Sequence, residues 1–373
     1  MRLLFAIAKY FPYGGLQRDM LRLALACRDR GAEVHILTGA WEGERPDGLV
    51  IREQRLRAWS NGGKNKEMSA RLAALKGEFD LVLGFHKLRH MDAYFCGDTC
   101  LAERVAREKP SWFRLLPRYR VFLELEKAVF APGGKTQVMV LTERDRDEYR
   151  HAYHTEPERL NVLPPGVETA RLAPVAPERL AALRAELGIA PSQRVLLHVS
   201  ANFRLKGLDR ILDSLAAIPA QTRDRAVLVV VGNDDPAPFQ RQAERLGIGS
   251  QVRFTGARDD VGAFYRLADV MVHPARTEAA GMTLLEATVS GLPVIASGNC
   301  GYAAHIERAG SGWVLPVRFS RAALTEALSQ ALTTDLSPRA AAARAYADST
   351  DLSSLTDTAA TLLMTWAAQA KAR

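Results

Sequence analysis

Cysteine is scarce and dispersed: Cys27, Cys96, Cys100 and Cys300 are the only four in 373 residues, and none forms a C-x-x-C pair. That density excludes a disulfide-stapled secreted scaffold and suits a reducing compartment. Cys96 and Cys100 lie four apart, one helical turn, but no His or Cys cluster completes a zinc site, so they read as structural thiols. No apolar run approaches the ~18 residues that span a bilayer. The opening Arg2-Leu-Leu-Phe-Ala-Ile-Ala8 is too short for a signal-peptide core and reads as a first buried strand. An internal repeat, a low-complexity tract beyond the Ala-rich tail and a nucleic-acid reader motif are also missing.

What is present is apolar and basic. At 47% hydrophobic content the chain can bury two cores, in keeping with about 150 residues per domain. The net charge of +8 implies an anionic partner: nucleic acid, acidic lipid or a phosphorylated substrate. Strand and helix signals alternate from end to end, as in parallel βαβ units. Candidate strands in the first half are Leu3–Ala8, Val34–Thr38, Leu81–Phe85, Val138–Thr142 and Leu160–Pro164. In the second half they are Val195–Ser200, Val227–Gly232, Val252–Thr255, Val270–His273, Val294–Ala296 and Trp313–Pro316. Pro164-Pro-Gly166, then Pro174 and Pro177, form a rigid break between the halves. The expected architecture is α/β, with two doubly wound parallel-sheet domains (1–165 and 166–351) facing across a ligand cleft. A final helix over 352–373 is expected to pack back on the first domain.

Chemistry-bearing residues collect where strands end, the edge at which open α/β sheets bind ligands. Glu278-Ala-Ala-Gly-Met-Thr-Leu-Leu-Glu286 sets one carboxylate on a loop and a second about two turns into a helix. Ala279, Ala280 and Gly281 leave that helix N-terminus uncovered, so its N–H groups can meet an anion. The same spacing also describes an acidic helix start followed by a solvated Glu. At the end of the first strand, Gly14-Gly15 lets backbone approach a diphosphate, though this is not G-x-G-x-x-G and an ordinary tight turn has the same composition. Asp19, one turn into the following helix, could hold a sugar hydroxyl or simply complement the helix N-terminus. Arg204 and Lys206, between a strand end and a helix start, could neutralise a leaving nucleotide or be solvated loop cations. His273, ending its strand beside Pro274, reads mainly as satisfying a turn. Asp145-x-Asp147 resembles a metal-binding D-x-D, but Thr142-x-x-Asp145 reads as a surface helix cap, so metal-independent chemistry is expected.

One further stretch combines cations with aromatics: Arg104, Arg107, Lys109, Trp112, Phe113, Arg114, Arg118 and Arg120. Such a pattern suits an anionic membrane surface, and equally a packed helical hairpin with a solvated rim.

Taken together, Gly14-Gly15, Arg204-x-Lys206-Gly207, Glu278-x7-Glu286 and Gly291-Leu-Pro-Val resemble the retaining glycosyltransferases of family 4, which have the GT-B fold. The resemblance covers essentially the whole chain. It extends to Lys9-Tyr-Phe-Pro-Tyr-Gly-Gly-Leu-Gln-Arg-Asp19, Thr155-Glu-Pro-Glu-Arg159, Leu163-Pro-Pro-Gly166 and Cys300-Gly-Tyr302, runs found in the enzymes that build the lipopolysaccharide core. It implies transfer of glucose, α-1,3-linked, from UDP-glucose to a heptose of the inner core, at the cytoplasmic face of the inner membrane. The partners implied are a UDP-sugar co-substrate, a heptosylated lipid A core acceptor and an anionic membrane surface, with no cofactor, no metal and no nucleic acid. By resemblance, Gly15 approaches the donor phosphates and Lys206 and Arg171 hold the diphosphate. Glu278 and the amides after it hold the transferred sugar, Glu286 the ribose, and Arg258 the uracil through its backbone, while Asp19 and Asp98 lie on the acceptor side. A close relative in the family carries Arg directly before the motif lysine; here Leu205 stands there and Arg204 one place earlier, which leaves open a different diphosphate contact or a different donor such as an N-acetylated hexosamine. A sugar-nucleotide epimerase on the same fold and a non-catalytic protein that binds anionic membranes are the other readings of the same residues.

Overall fold

The computed structural model describes residues 1–12 and 14–371. Two compact units are present: Met1–Pro165 together with the segment from Ser354, and Gly166–Ser353. Each is a wholly parallel sheet, as the near-continuous Val, Leu and Ile runs require, since a strand covered by helices on both faces has no polar side. Ala226–Val231, Ala-Val-Leu-Val-Val-Val, is buried at every position.

The first unit holds β1 (Arg2–Ile7), β2 (Glu33–Thr38), β3 (Leu49–Glu53), β4 (Leu81–Gly84), β5 (Ala93–Cys96), β6 (Gln137–Val140) and β7 (Leu160–Val162). Their spatial order is β3-β2-β1-β4-β5-β6-β7. The second unit holds β8 (Arg194–Val199), β9 (Ala226–Val231), β10 (Val252–Phe254), β11 (Val270–His273), β12 (Val294–Ser297) and β13 (Gly312–Leu315), ordered β10-β9-β8-β11-β12-β13. Strand order therefore reverses between β1 and β4 in one sheet and between β8 and β11 in the other. Loops leaving those four strands part to opposite faces and open a crevice at the carboxyl edge.

Two strands were not expected from the sequence, β3 and β5. Strand β3 is a half-exposed edge carrying Arg52 and Glu53, and β5 is only four residues long. Placing β5 also corrects the one-turn relation of Cys96 and Cys100: Cys96 ends the strand, and Cys100 precedes the helix Leu101–Glu108. The tail forms the helix Leu355–Lys371, with residues 372–373 of the expected segment outside the described residues. It packs on the helix Gly15–Asp29 and buries Leu355, Ala359, Leu363 and Ala367, a four-residue spacing of small and branched side chains. Asp357 closes the seam on Arg30 at 2.7 Å.

Two buried carboxylates organise the first unit. Asp145 is not on the surface as its capping motif suggested. It is 3% exposed, its N–H donates to Thr142 Oγ1 (3.0 Å) and it accepts from the same hydroxyl (2.6 Å). Burial pushes its carboxyl up to about 7. Glu126, fully buried, accepts the Leu101 and Ala102 N–H groups that open the next helix, both at 2.9 Å, together with the Tyr153 hydroxyl at 2.8 Å. Its countercharge is Lys87, 2.5 Å away and also buried. Deleting one partner of a buried pair strands the other, so Glu126→Ala should lower unfolding stability by about 3–5 kcal/mol, read as a lower urea midpoint.

Candidate active site

In the second unit the crevice lies between the loops that follow β8 and β11. The first loop is wound by its own side chains: Ser200 Oγ accepts the Asn202 N–H (2.9 Å), and Asn202 Oδ1 accepts the Leu205 N–H (2.9 Å). Buried Phe203 anchors it, its N–H bonded to Asp234 Oδ2 at 2.8 Å. Arg276, from the second loop, donates its N–H to the Leu205 carbonyl (2.8 Å) and one guanidinium nitrogen to the Arg204 carbonyl (2.6 Å). The same guanidinium grips both carboxylate oxygens of Asp209 at 2.7 and 2.6 Å. Gly207 is obligatory where the loops meet: at φ +83° a Cβ would lie 2.2 Å from the Pro274 carbonyl oxygen.

That stitching brings Lys206 Nζ to 2.5 Å from Glu278 Oε2. His273 Nε2 reaches the same oxygen at 3.2 Å, so the histidine serves the carboxylate and not only a turn. Burial raises the Glu278 carboxyl, but the His273 hydrogen bond and the charges of His273 and Lys206 outweigh it and hold it at about 2. Behind His273, at a ring distance of 6.1 Å, His198 donates Nδ1–H to the Val272 carbonyl (2.9 Å), and burial drops its pKa to about 3.

After Glu278 the backbone is pinned by a parallel bridge between Glu278 and Cys300 and by the Tyr302 N–H on the Ala280 carbonyl (2.7 Å). Gly281 then turns into left-handed backbone (φ +96°) and starts the helix Met282–Val289 with no side-chain cap. Ala279 and Ala280 add no polar cover; the Leu284 N–H bonds the Gly281 carbonyl at 2.9 Å, which leaves the Met282 and Thr283 N–H groups to meet an oxyanion. Because the helix begins at Met282, Glu286 stands just over one turn in, not two. Its Oε2 accepts the Tyr265 hydroxyl at 2.7 Å.

Three other predicted residues have surroundings of their own. Arg204 lines a separate hollow with Asp234, Phe239 and Arg241, so it and Lys206 are not brought together. Arg258 spends its guanidinium on Asp260 (2.9 Å) and Glu186 (3.1 Å). Arg171, half-exposed, reaches Glu168 at 3.4 Å.

In the first unit the crevice between β1 and β4 opens a pocket of about 490 Å³. Lys9, His86, Lys87, Asp98, Arg104 and Arg118 line it. Asp98 accepts the Tyr94 hydroxyl at 3.4 Å. Gly14 caps the helix Gly15–Asp29. Gly15 has open space where a Cβ would go and no positive φ, so the fold itself does not demand glycine there. Asp19 is not part of the pocket lining: it faces Arg22 at 3.9 Å, and burial pushes its carboxyl up against the pull of Arg22 and Arg18.

Comparison with known proteins agrees with this geometry. The family model of glycosyl transferases group 1 matches residues 181–348, which include Lys206, Glu278 and Glu286. The lipopolysaccharide glucosyltransferase WaaG of Escherichia coli K12 is 40% identical over 364 residues, covering 96% of this chain and 97% of that one. This chain belongs to the group 1 glycosyl transferases. The crystal structure of WaaG superposes with a TM-score of 0.89 at 40% identity, over 96% of this chain and 99% of that one. The Anabaena protein HepE, solved with UDP-glucose, matches with a TM-score of 0.71 at 19% identity, over 98% of this chain and 100% of that one, a likeness of fold.

The basic, aromatic stretch from Arg104 to Arg120 of this glycosyltransferase divides in the structure. Arg104 and Arg118 line the pocket, while Arg107 pairs with Glu148 (3.3 Å) and Arg120 with Glu124 (3.2 Å). Around the short 3-10 helix Ser111–Leu115, Lys109 sits over the Phe113 ring and Trp112 packs on Phe113, with Arg114 exposed. Trp112 and Leu115 stand 56% and 78% exposed. His86 and Lys87 were not singled out from the sequence; their position directly after a buried strand was the available signal.

A depressed carboxyl has a defined pH signature. Glu278 titrates near 2 when folded against the usual 4.5, so its stabilising contribution is complete above about pH 4.5 and is lost as pH falls toward 2. Stability of the Glu278→Gln glycosyltransferase should therefore fall less steeply between pH 5 and 3 than that of the parent, measured by urea unfolding at each pH.

Proposed function

We propose that this glycosyltransferase moves glucose from UDP-glucose to a heptose of the lipopolysaccharide inner core, α-1,3-linked and with retention at C1. The observation that carries the reading is Lys206 held on Glu278 beside an uncapped helix N-terminus at the reversal of β8 and β11. Together they offer a carboxylate for sugar hydroxyls, a cation and open amides for a diphosphate. The 40% identity to WaaG over nearly the whole length supports the choice of donor and acceptor.

In this mechanism the C1–O bond to the β-phosphate breaks while the acceptor hydroxyl oxygen bonds C1 from the same face. The hydroxyl proton passes to the departing phosphate oxygen. Charge grows on the diphosphate as it leaves, and Lys206, Arg171 and the amides at Gly281–Thr283 stabilise it, which lowers the barrier without a divalent ion. Glu278 exchanges its lysine contact for the transferred sugar, Glu286 takes the ribose hydroxyls, and the backbone at Arg258 meets the uracil. Gly15 offers bare backbone to a phosphate. Asp98, with His86 nearby, faces the acceptor. Lys206→Ala should cut kcat by roughly 10²-fold or more while leaving the melting temperature near that of the parent, measured by UDP release with core acceptor; near-normal turnover would refute the assignment.

We also propose that the face formed by Lys109, Trp112, Arg114, Leu115 and Leu116 docks on the anionic cytoplasmic surface of the inner membrane. No helix among the described residues is long and apolar enough to cross a membrane. Burying two exposed apolar side chains is the main gain, so Trp112→Ala with Leu115→Ala should weaken binding to phosphatidylglycerol-containing vesicles by about ten-fold or more. Equal sedimentation of parent and variant with those vesicles, or equal binding to neutral ones, would refute this face.

A further inference from the structure

The pocket of the first unit carries more positive charge than the fold uses. Two of its cations are committed elsewhere: Lys87 to buried Glu126 at 2.5 Å, and Lys9 to Glu42 at 2.5 Å. Three more, Lys64, Arg104 and Arg118, line the same pocket with no carboxylate partner among the described residues. Asp98 is the single carboxylate of the lining. Lys64 belongs to the first turn of the helix Asn61–Ala74, whose N-terminal end adds the positive pole of its dipole. Tyr119 and Phe122 form an apolar wall that weakens solvent screening, and Asn61, Asn65 and Gln17 supply uncharged donors suited to hydroxyls.

Unpaired like charges around one concavity repel one another, a cost that a bound anion removes. The geometry points to an oxyanion on the acceptor itself: we infer that this pocket recognises a sugar bearing a phosphate or carboxylate, held by Lys64, Arg104 and Arg118. The inference rests on the proposed acceptor reading and deepens it from a neutral heptose to an anionic one. Guanidinium forks at Arg104 and Arg118 match the planar oxygen pairs of either group.

The test uses the 373-residue chain and heptosylated core oligosaccharide in three forms: intact, phosphatase-treated, and carboxyl-reduced. Loss of a charge-assisted contact should raise the acceptor KM by about ten-fold or more. A rise on phosphatase treatment assigns a phosphate, and a rise on carboxyl reduction assigns a sugar acid. Equal KM for all three forms overturns the inference. In Lys64→Gln with Arg104→Gln the ratio of KM values should collapse toward one. Because the ratio is read within one preparation, partial misfolding cannot mimic that collapse, and a ratio unchanged from the parent overturns the assignment to these residues. If no form is a substrate, the glucosyl-transfer reading fails, and calorimetry with the same three oligosaccharides decides the pocket. Tighter binding of the intact form than of either modified form upholds the inference; no difference overturns it.

Discussion

Glu278 Oε2 is the atom on which the crevice of the second unit converges. Lys206 and His273 both end on it, one from each side of the strand reversal. The contact is possible only because Gly207 lets the β8 loop touch the Pro274 carbonyl, and because Arg276 ties that loop to Asp209. Removing water from an ion pair usually costs as much as the attraction returns. Here the pair is partly open, its side chains 20% and 16% exposed. On the proposed function, a diphosphate sugar would replace one set of charge contacts by another.

The parallel architecture was legible because strands covered on both faces leave unbroken runs of Val, Leu and Ile, and because Pro164-Pro-Gly166 punctuates them. What escaped was what departs from that rule. Leu49–Glu53 is an edge strand with charged, half-exposed residues, and Ala93–Cys96 is too short to show a pattern. Lys206 and Glu278 could be seen as strand-end residues, but their contact could not, since it depends on the closure of two loops 72 residues apart. His273 was discounted for the same reason. Thr142-x-x-Asp145 is a helix cap as the sequence suggests, with the Thr142 hydroxyl accepting the Asp145 N–H, but it is not exposed, because a capping motif states which N–H is satisfied and nothing about the side chains packed over it.

The basic stretch from Arg104 to Arg120 shows how composition can merge distinct roles. Seen as a list, it is one amphipathic surface. In three dimensions, breaks at Lys109 and Leu116 set off a small aromatic knob, while each flanking helix carries one cation that lines a pocket and one that a glutamate neutralises. Charge alone could not distinguish these, since each assignment is set by which neighbour lies within hydrogen-bonding reach.

The Lys87–Glu126 pair has a consequence for how this pocket can change over time. Its positive charge points inward and is matched there, so the wall it forms is electrically quiet. Folding draws on one set of ionic groups, while the rim cations stand outside that set. Rim positions can therefore be substituted without breaking the ionic pair of the interior, so the charge of the pocket mouth is a surface variable laid over a fixed frame.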